Sequence, residues 1–283
     1  KKNNKIYSKY NNDSFVEDYR GAIYGLAVDI GTTTVVMNLI DLENYNLVYT
    51  TSFENPQRFG GSDIMNRISY DSAENNGELK SVIVSAINFE IGEMVKKNLI
   101  RRREIYDVVV VGNTTMREIF FGFDVTSIGT KPYKSIVENE LIKGKRVNSS
   151  LISNAKDIGL RINPNGIVYG APIIASHIGS DISADLIAID IFNKKEPVLL
   201  VDVGTNTEII LGMPGKIYAA SCPAGPAFEG GDITYGMPGY DGAIEKISIM
   251  KDSSTSFDVI GDSKPIGICG SGLIDLLAEL KRS

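Results

Sequence analysis

Two nearly identical seven-residue segments carry the groups that could bind phosphate. Residues 28–34 read VDIGTTT and residues 201–207 read VDVGTNT, and each segment lies between two apolar runs. An aspartate before a glycine turn, flanked by apolar segments, predicts a strand, a tight turn and a second strand. Glycine in such a turn lets backbone N–H groups approach phosphate oxygens without an intervening side chain. The sequence therefore predicts two phosphate-binding hairpins.

Each predicted hairpin supplies the same set of groups. Gly31 and Gly204 make the turns, and Asp29 and Asp202 are candidate ligands for Mg²⁺ or its waters, since nucleotide-bound Mg²⁺ keeps several waters. Further hydrogen-bonding groups come from Thr32, Thr33, Thr34, Thr205, Asn206 and Thr207. One hairpin of this kind is a common turn, because Asp, Gly and Thr favour turns for local reasons. Two copies in similar settings indicate duplicated lobes, and two such hairpins facing each other would clamp a nucleotide.

Polar residues also follow the apolar segment 107–111, DVVVV. This segment predicts a strand buried on both faces, and Gly112, Asn113 and Thr114 come directly after it. The carboxyl edge of an α/β sheet is where such folds hold ligands; the alternative is that Asn113 or Thr114 simply caps the next helix. Residues 171–189 predict a small-residue helix that holds His177 and Asp181, which are either catalytic or a packing group and a cap.

The remaining pattern predicts the elements that position these residues. Apolar alternation predicts strands at 24–30, 34–42 and 47–53, and helical spacing predicts a helix at 78–99, with Ser62 or Asp63 as the cap of a helix before it. We interpret residues 1–22 as a linker or the tail of an upstream domain. The expected fold class is α/β with mixed sheets and helices on both faces. The expected lobes are 23–190, with an irregular insertion or crossover near 122–163, and an incomplete second lobe at 191–283.

Composition excludes several classes of function. The 283 residues suffice for two lobes, and the contents of hydrophobic (43%) and charged (23%) residues are ordinary for a soluble globular protein. A net charge of −6 disfavours nonspecific binding to nucleic acid or to an anionic membrane. Neither a membrane span nor a hydrophobic signal segment is evident, so we expect a cytoplasmic protein. Cys222 and Cys269 are too far apart in sequence to indicate a disulfide framework or a cysteine-only metal site, and we expect both to be small buried residues.

The order of these motifs resembles the ASKHA superfamily of actin, sugar kinases and hsp-type chaperones. The resemblance implies an actin-like, ribonuclease H-like fold of two duplicated lobes, in which the two hairpins bind the phosphates of ATP and residues 171–189 form the connecting helix. The segments ENPQRFGGSDIMNRISY, VVVVGNTTM, ASHIGSD, SCPAGPAFEGG and ICGSGLID are similar to one subgroup, the ATP-dependent reductive activators of corrinoid proteins. These matches extend from about Tyr24 to Leu280.

This resemblance implies that ATP binding and hydrolysis drive the reduction of Co(II) to Co(I) in a corrinoid protein partner. Asp29 and Asp202 would hold Mg²⁺, and Asn113, Thr114 and Asp181 would position the attacking water. Phosphate or nucleotide contacts are further expected from Gly225, Gly230, Gly231, Gly270 and Gly272. In this family an iron–sulfur cluster in a ferredoxin-like domain supplies the electron. A homodimer is also possible.

The chain departs from the family pattern in three ways. It has no cysteine cluster, so we expect the iron–sulfur domain to be a separate or upstream part, and it ends before the glycine-rich adenosine motif. Arg117 replaces a histidine that often follows GNTTM, and no role of that histidine carries over. Two alternatives remain open: a small-molecule kinase with Asp181 as the base, and a nucleotide-binding regulatory module without catalysis. A dimer could bring four cysteines to one cluster, but free cysteine is usually a buried apolar residue.

Overall fold

The computed structural model describes residues 1–11, 13–71, 75–213, 215–225, 233–250, 254–261 and 263–282. Within it the chain forms two compact units, Lys1–Phe192 and Asn193–Ser283. None of the helices in these described ranges has the length and apolar composition that crossing a lipid bilayer requires.

A six-stranded mixed sheet forms the centre of the first unit. Its strands lie in the order β5-β4-β3-β6-β8-β7. Their bounds are β3 (Tyr24–Ile30), β4 (Thr34–Asp41), β5 (Asn46–Glu54), β6 (Ile105–Val111), β7 (Leu151–Asn154) and β8 (Ile167–Gly170). The strands β3, β6 and β8 run parallel, whereas β4, β5 and β7 run antiparallel to their neighbours. The three strands predicted between residues 24 and 53 are confirmed.

The apolar face of this sheet packs against the first unit's longest helix. The helices of the unit are α1 (Ile64–Asp71), α2 (Glu78–Lys97), α3 (Thr114–Phe121), α4 (Thr126–Gly129), α5 (Ile136–Ile142), α6 (Ala155–Ile158) and α7 (Ser180–Ala188). Helix α2 buries Leu79, Ile83, Ile87 and Ile91 in the same core as Val28, as its spacing predicts. The predicted cap of α1 is also confirmed, because Asp63 Oδ1 accepts a hydrogen bond from Asn66 N at 2.9 Å.

The structure differs from the sequence prediction at four places in this unit. Residues 5–18 contain a hairpin, β1 (Lys5–Ser8) and β2 (Ser14–Asp18), where we predicted a linker or a tail. Its residues Ile6 and Val16 pack on Tyr106. Residues 122–163, predicted to be irregular, contain α4, α5, β7 and α6. Strand β6, which the sequence predicts to be buried on both faces, is only partly buried on one of them. The predicted helix at 171–189 begins only at Ser180, so residues 171–179 are not helical.

The described residues of the second unit form two three-stranded sheets and one helix. One sheet has the order β11-β10-β9 and the other β13-β12-β14. The bounds are β9 (Val198–Val203), β10 (Asn206–Met213), β11 (Lys216–Pro223), β12 (Ala243–Ile249), β13 (Thr255–Val259), β14 (Gly267–Ile268) and α8 (Gly270–Arg282). The strands β9, β10 and β11 form an antiparallel meander, which gives the second predicted hairpin the same strand-turn-strand form as the first.

Candidate functional site

The first hairpin lies at the carboxyl end of β3, beside the end of β6. Asp29 is paired with Val36 across the hairpin and with Val111 on the other side. Its side chain is exposed, whereas Thr32 in the turn is only 5% exposed. Thr33 and Thr34 are partly exposed. The turn therefore presents one accessible carboxylate and two accessible threonines at the edge where parallel sheets hold ligands.

Gly31 is required by the hairpin's own backbone. A Cβ added at this position would lie 2.5 Å from the carbonyl oxygen of Thr34, which is closer than real Cβ contacts permit. Its φ is not in the left-handed region, so the constraint is close approach rather than backbone conformation. Any other residue would force the turn open and move the N–H groups that the turn presents.

Asn55 fixes the position of this turn. Its Nδ2 donates to the carbonyl oxygen of Gly31 at 2.7 Å, and its backbone N–H donates to the carbonyl oxygen of Thr33 at 2.7 Å. The side chain is fully buried and its Oδ1 accepts from Gln57 N at 2.9 Å. Sequence analysis did not select Asn55 as a site residue, although it precedes Pro56 in the segment that carries the family resemblance.

Asn113 joins the β6–α3 loop to the same turn. Its Oδ1 accepts from Met116 N at 3.0 Å and so caps α3, as one of the two interpretations predicted. Its Nδ2 donates to Thr32 Oγ1 at 3.0 Å. Gly112 has a φ of 148°, and a Cβ there would lie 2.6 Å from the carbonyl oxygen of Ile30. The loop after β6 is therefore packed directly against the end of β3.

The start of α7 packs against this loop. Ser180 donates to the carbonyl oxygen of Gly112 from both its N–H, at 2.9 Å, and its Oγ, at 3.0 Å. A Cβ on Gly179 would lie 2.5 Å from Asn113 Cα and 2.7 Å from Asp181 Oδ1. Asp181 thus lies next to Asn113, in the first turn of α7, where its Oδ1 also accepts from Ile182 N at 2.8 Å.

Thr114, unlike Asn113, contacts the segment 171–179 rather than the hairpin turn. It is 1% exposed, and its hydroxyl donates to the carbonyl oxygen of Ala175 at 2.9 Å. That bond holds the non-helical segment 171–179 against α3. His177, in the same segment, is exposed and its ring lies 6.4 Å from that of Tyr133.

A buried cation lies behind the first hairpin. Arg67 is 1% exposed, its Nε donates to the carbonyl oxygen of Gly61 at 3.0 Å, and its Nη1 lies 3.1 Å from Met116 Sδ. Asn55 Nδ2 contacts the same sulfur at 3.9 Å. Burial lowers the pKa of Arg67 to about 10, so it stays charged at neutral pH. Arg67 and Asn55 share the Met116 sulfur as a neighbour, an arrangement that the sequence pattern did not reveal.

The second hairpin joins β9 to β10 within the other unit. Gly204 N donates to the carbonyl oxygen of Asn206 at 3.1 Å. A Cβ on Gly204 would lie 3.3 Å from the same oxygen, a tighter contact than most but less severe than at Gly31. Thr205 is 9% exposed, and its carbonyl oxygen accepts from Ala224 N at 3.1 Å and from Gly225 N at 3.0 Å. The structure therefore brings the glycine turn after β11 to the second hairpin.

Two carboxylates lie side by side on this hairpin. Asp202 of β9 is directly opposite Glu208 of β10. Burial raises the pKa of Asp202, and burial together with the nearby Asp202 raises the pKa of Glu208. Ser221 Oγ donates to Glu208 Oε1 at 2.9 Å. A cation at this position would relieve the repulsion between the two ionised groups.

The other predicted glycines fall into two groups. Gly270 and Gly272 form the first turn of α8, where a Cβ on Gly272 would lie 2.3 Å from the carbonyl oxygen of Ile244 in β12. That glycine permits close packing of α8 on β12. Gly230 and Gly231 lie outside the described residues.

The two cysteines differ from each other. Cys269 is buried, as expected, and its Sγ lies 3.3 Å from the carbonyl oxygen of Ile244. Cys222 on β11 is exposed, so its predicted burial is wrong, because all eight residues of that strand are exposed, on both of its faces. Both are free thiols.

Oxygen ligands suit the metal that sequence analysis predicts. No cluster of three or more His, Cys, Asp or Glu side chains with metal-binding geometry occurs among the residues described. Mg²⁺ commonly uses one or two carboxylates together with substrate phosphates and water. The accessible carboxylate of Asp29 and the Asp202–Glu208 pair fit such a role.

Comparison with known families covers nearly the whole chain. Residues 24–194 match the family described as the RACo middle region, and residues 196–283 match the C-terminal domain of RACo, the ASKHA domain. One solved structure, a reductive activator for corrinoid, iron-sulfur protein, superposes with a TM-score of 0.83 at 37% identity, over 94% of this chain and 42% of that one. The predicted actin-like ASKHA fold is confirmed by this likeness.

Two curated proteins are similar in sequence. The corrinoid activation enzyme RamQ of Eubacterium limosum is 35% identical over 263 residues, which are 92% of this chain and 42% of that protein. The [Co(II) methylated amine-specific corrinoid protein] reductase of Methanosarcina barkeri is 27% identical over 226 residues, 78% of this chain and 40% of that protein. The chain thus spans about two fifths of the length of these relatives.

Proposed function

Because the chain belongs to the family of the RACo middle region and C-terminal domain, we propose that it binds and hydrolyses ATP within a reductive activator of a corrinoid protein. The hydrolysis would drive the reduction of Co(II) to Co(I) in that partner. The observation that carries the proposal is the first hairpin, where an exposed aspartate, a glycine turn and the Asn113 loop meet at the carboxyl edge of parallel strands.

Each hairpin would bind phosphate oxygens through backbone N–H groups and hydroxyls. Phosphoryl transfer depends mainly on positioning and on stabilisation of charge, and turns that expose successive N–H groups provide both for an anion. The residues proposed for phosphate contact are Gly31, Thr32, Thr33, Thr34, Gly204, Thr205 and Asn206. Thr32 would act in part through its bond to Asn113.

Asp29 and Asp202 would hold Mg²⁺ through its waters, and the metal would neutralise phosphate charge during transfer. Asn113 and Asp181 are adjacent beside the first hairpin and are proposed to orient the attacking water. We propose that Thr114 serves indirectly, because its hydroxyl is buried and bonded to Ala175.

ATP can drive a change in the activator only through a difference in its affinity for two conformational states. Loss of the γ-phosphate would remove part of that difference. The electron is proposed to come from another domain or chain, since the two free cysteines do not complete the four-thiolate shell of an iron–sulfur cluster.

The proposal is tested by titrating ATP and Mg²⁺ into the chain and its variants. Asp29→Ala and Asp202→Ala should each weaken ATP binding by about tenfold or more, the effect of losing a charge-assisted contact. Asp18→Ala and Asp258→Ala are matched controls, because both residues are exposed on strands, one in each unit. Their affinity for ATP should equal that of the unaltered chain.

Phosphate release is then measured with and without a purified Co(II) corrinoid protein. Stimulation by the corrinoid protein supports the proposal. Transfer of phosphate to a small hydroxyl compound would instead identify a kinase, and tight ATP binding without turnover in either condition would identify a regulatory module. ATP binding that both aspartate variants leave unchanged would refute the assigned phosphate sites.

A further inference from the structure

A cavity of about 340 Å³ lies under the amino-terminal hairpin of the first unit. Its walls come from β1 and β2 on one side and from the first residues of β6 on the other. They include Ile6, Ser8, Tyr10, Val16, Tyr106 and Asp107. The size and the mostly apolar lining with a few polar groups are those of a small-molecule site.

A bulge in β6 places two polar side chains in this wall. Tyr24 of β3 pairs with Ile105, but the next residue, Gly25, pairs with Asp107. Tyr106 is therefore the extra residue, and such an insertion interrupts the alternation of side chains between the faces. Ile105 and Val108 point into the main core, whereas Tyr106 packs with the hairpin and Asp107 lines the cavity.

Two oxygens in the cavity wall are buried and form no hydrogen bond among the described residues. They are Ser8 Oγ and Asp107 Oδ1. Ser8 is 8% exposed, whereas the Tyr106 hydroxyl is engaged by Glu17. Buried oxygens without partners are uncommon and require an explanation. A bound ligand that supplies N–H donors would satisfy them.

The charge of the wall selects among such ligands. Burial raises the pKa of Asp107 to about 6, so its carboxylate is ionised at neutral pH, and it forms no ion pair within the described part of the chain. Two lysines also line the cavity: Lys1 pairs with Glu43 at 3.3 Å, and Lys9 is exposed to solvent. Burial raises the pKa of Tyr10 to about 12, so that ring is a neutral phenol whose face attracts cations.

The cavity is separate from the proposed nucleotide site. Asp107 is at the amino end of β6, whereas Val111 beside Asp29 is at its carboxyl end. Four residues of a strand span about 13 Å. A ligand in the cavity would therefore lie at the opposite end of the strand from the hairpin that presents Asp29.

We propose that this cavity binds a small organic ammonium ion, a primary amine that carries an apolar or aromatic body. The ammonium group would donate to the Asp107 carboxylate and to the Ser8 hydroxyl. The body would occupy the space lined by Ile6, Val16 and the Tyr10 ring. An ammonium group has three donors and no acceptor, which matches the unpartnered oxygens of Ser8 and Asp107. This proposal does not depend on the nucleotide site.

The test uses 2-phenylethylammonium as the probe and its neutral analogue 2-phenylethanol as the chemical control. Methyl NMR of the isoleucine-labelled chain reports binding directly, because Ile6, Ile23 and Ile167 line the cavity and Ile209 lies in the other unit. Millimolar amine should shift the three cavity methyls and leave Ile209 unchanged. The alcohol should bind about tenfold more weakly or worse.

Asp107→Asn should weaken amine binding by about tenfold or more. Asp71→Asn is the matched control: Asp71 is also a buried aspartate with a raised pKa, but it lies in α1. It should leave the amine affinity unchanged. Unchanged methyl resonances outside the cavity verify that each variant is folded. Equal binding of amine and alcohol, equal binding by Asp107→Asn, or no shift of the cavity methyls would each overturn the proposal.

Discussion

Replacing Asn55 with alanine should loosen the first hairpin and weaken ATP binding without touching a phosphate contact. The side chain is fully buried and donates to the carbonyl oxygen of Gly31 at 2.7 Å, to Gln57 Oε1 at 3.0 Å, and accepts from Gln57 N at 2.9 Å. A typical net contribution is about 1 kcal/mol for each hydrogen bond. The unpaired Gly31 oxygen adds a desolvation penalty of about 1 kcal/mol. Asn55→Ala should therefore cost about 3–4 kcal/mol of the free energy of unfolding.

Asn88→Ala is the control that separates stability from positioning. Asn88 is also buried, in α2, where its Nδ2 donates to the carbonyl oxygen of Gly159 at 2.9 Å and its Oδ1 accepts from Arg161 N at 2.6 Å. By the same reasoning, Asn88→Ala should lower the free energy of unfolding by about 2–3 kcal/mol. Neither of its partners belongs to the hairpin.

Urea unfolding gives the two losses in stability, and titration of ATP with Mg²⁺ gives the two affinities. We expect Asn55→Ala to weaken ATP binding by about tenfold or more, and Asn88→Ala to leave it within about twofold of the unaltered chain. Asn55→Asp keeps the acceptor for Gln57 N but places an oxygen against the Gly31 oxygen, so it should bind ATP no better than Asn55→Ala. Equal affinities for the Asn55 and Asn88 alanine variants would refute the positioning role.

Three further predictions concern the first unit. The pKa of Asp107 is raised to about 6 by burial, so the folded state binds more protons than the unfolded one between about pH 4 and pH 6, and stability falls as the pH rises through that window. Asp107→Asn should therefore be about 3 kcal/mol more stable than the unaltered chain at pH 7 and no more stable near pH 4. Urea unfolding at both pH values measures this, and equal stability at pH 7 would contradict it. Glu118→Ala should cost about 3–5 kcal/mol because it leaves the fully buried Arg117 unpaired, and calorimetry should show part of the loss recovered when Arg117→Met and Glu118→Leu are combined. Gly179→Ala should destabilise the unit and weaken ATP binding, since its Cβ would lie 2.5 Å from Asn113 Cα. The control is Gly144→Ala, whose Cβ meets no atom within 4 Å and which should cost about 1 kcal/mol of stability through its backbone conformation alone. Similar losses of stability in the two variants would contradict the packing argument.

The elements that sequence analysis predicted correctly are those with a sustained period. The strands at 24–54 alternate over many residues, and α2 repeats its apolar spacing over five turns. Short elements escaped because α4 and α6 have four residues each, too few to establish a period. The hairpin β1–β2 escaped because its strands bury few apolar side chains on a mostly polar background.

Residues 171–179 show how tertiary bonds override local composition. Small apolar residues there are compatible with a helix, but Pro172 disfavours helical conformation in the residue before it. The segment is then held in its observed form by Ser149 Oγ, which donates to the carbonyl oxygen of Ile173 at 2.8 Å, and by Glu138 Oε2, which accepts from Ser176 N at 2.9 Å. Both partners come from distant parts of the chain, so no local pattern could predict them.

The residues of the candidate site also fall into those that the sequence pattern predicts and those that it does not. Residues that present groups at the turn, such as Asp29 and Asn113, lie in or directly after recognisable strands, and their positions could be predicted. Asn55 holds the turn through the carbonyl oxygen of Gly31, and Arg67 contacts the same Met116 sulfur as Asn55. Their effect depends on contacts across the fold, which a single sequence does not display.

The two ends of β6 carry polar groups for different physical reasons. At the carboxyl end, Asn113 is polar because a helix begins there and its first N–H groups need an acceptor. At the amino end, Asp107 lines a cavity only because Tyr106 is inserted into the pairing with β3. Without that insertion, strict alternation would place the side chain of Asp107 on the other face of the sheet. The bulge is thus the feature on which the proposed amine site depends, and it arises from pairing between strands that are eighty residues apart in sequence.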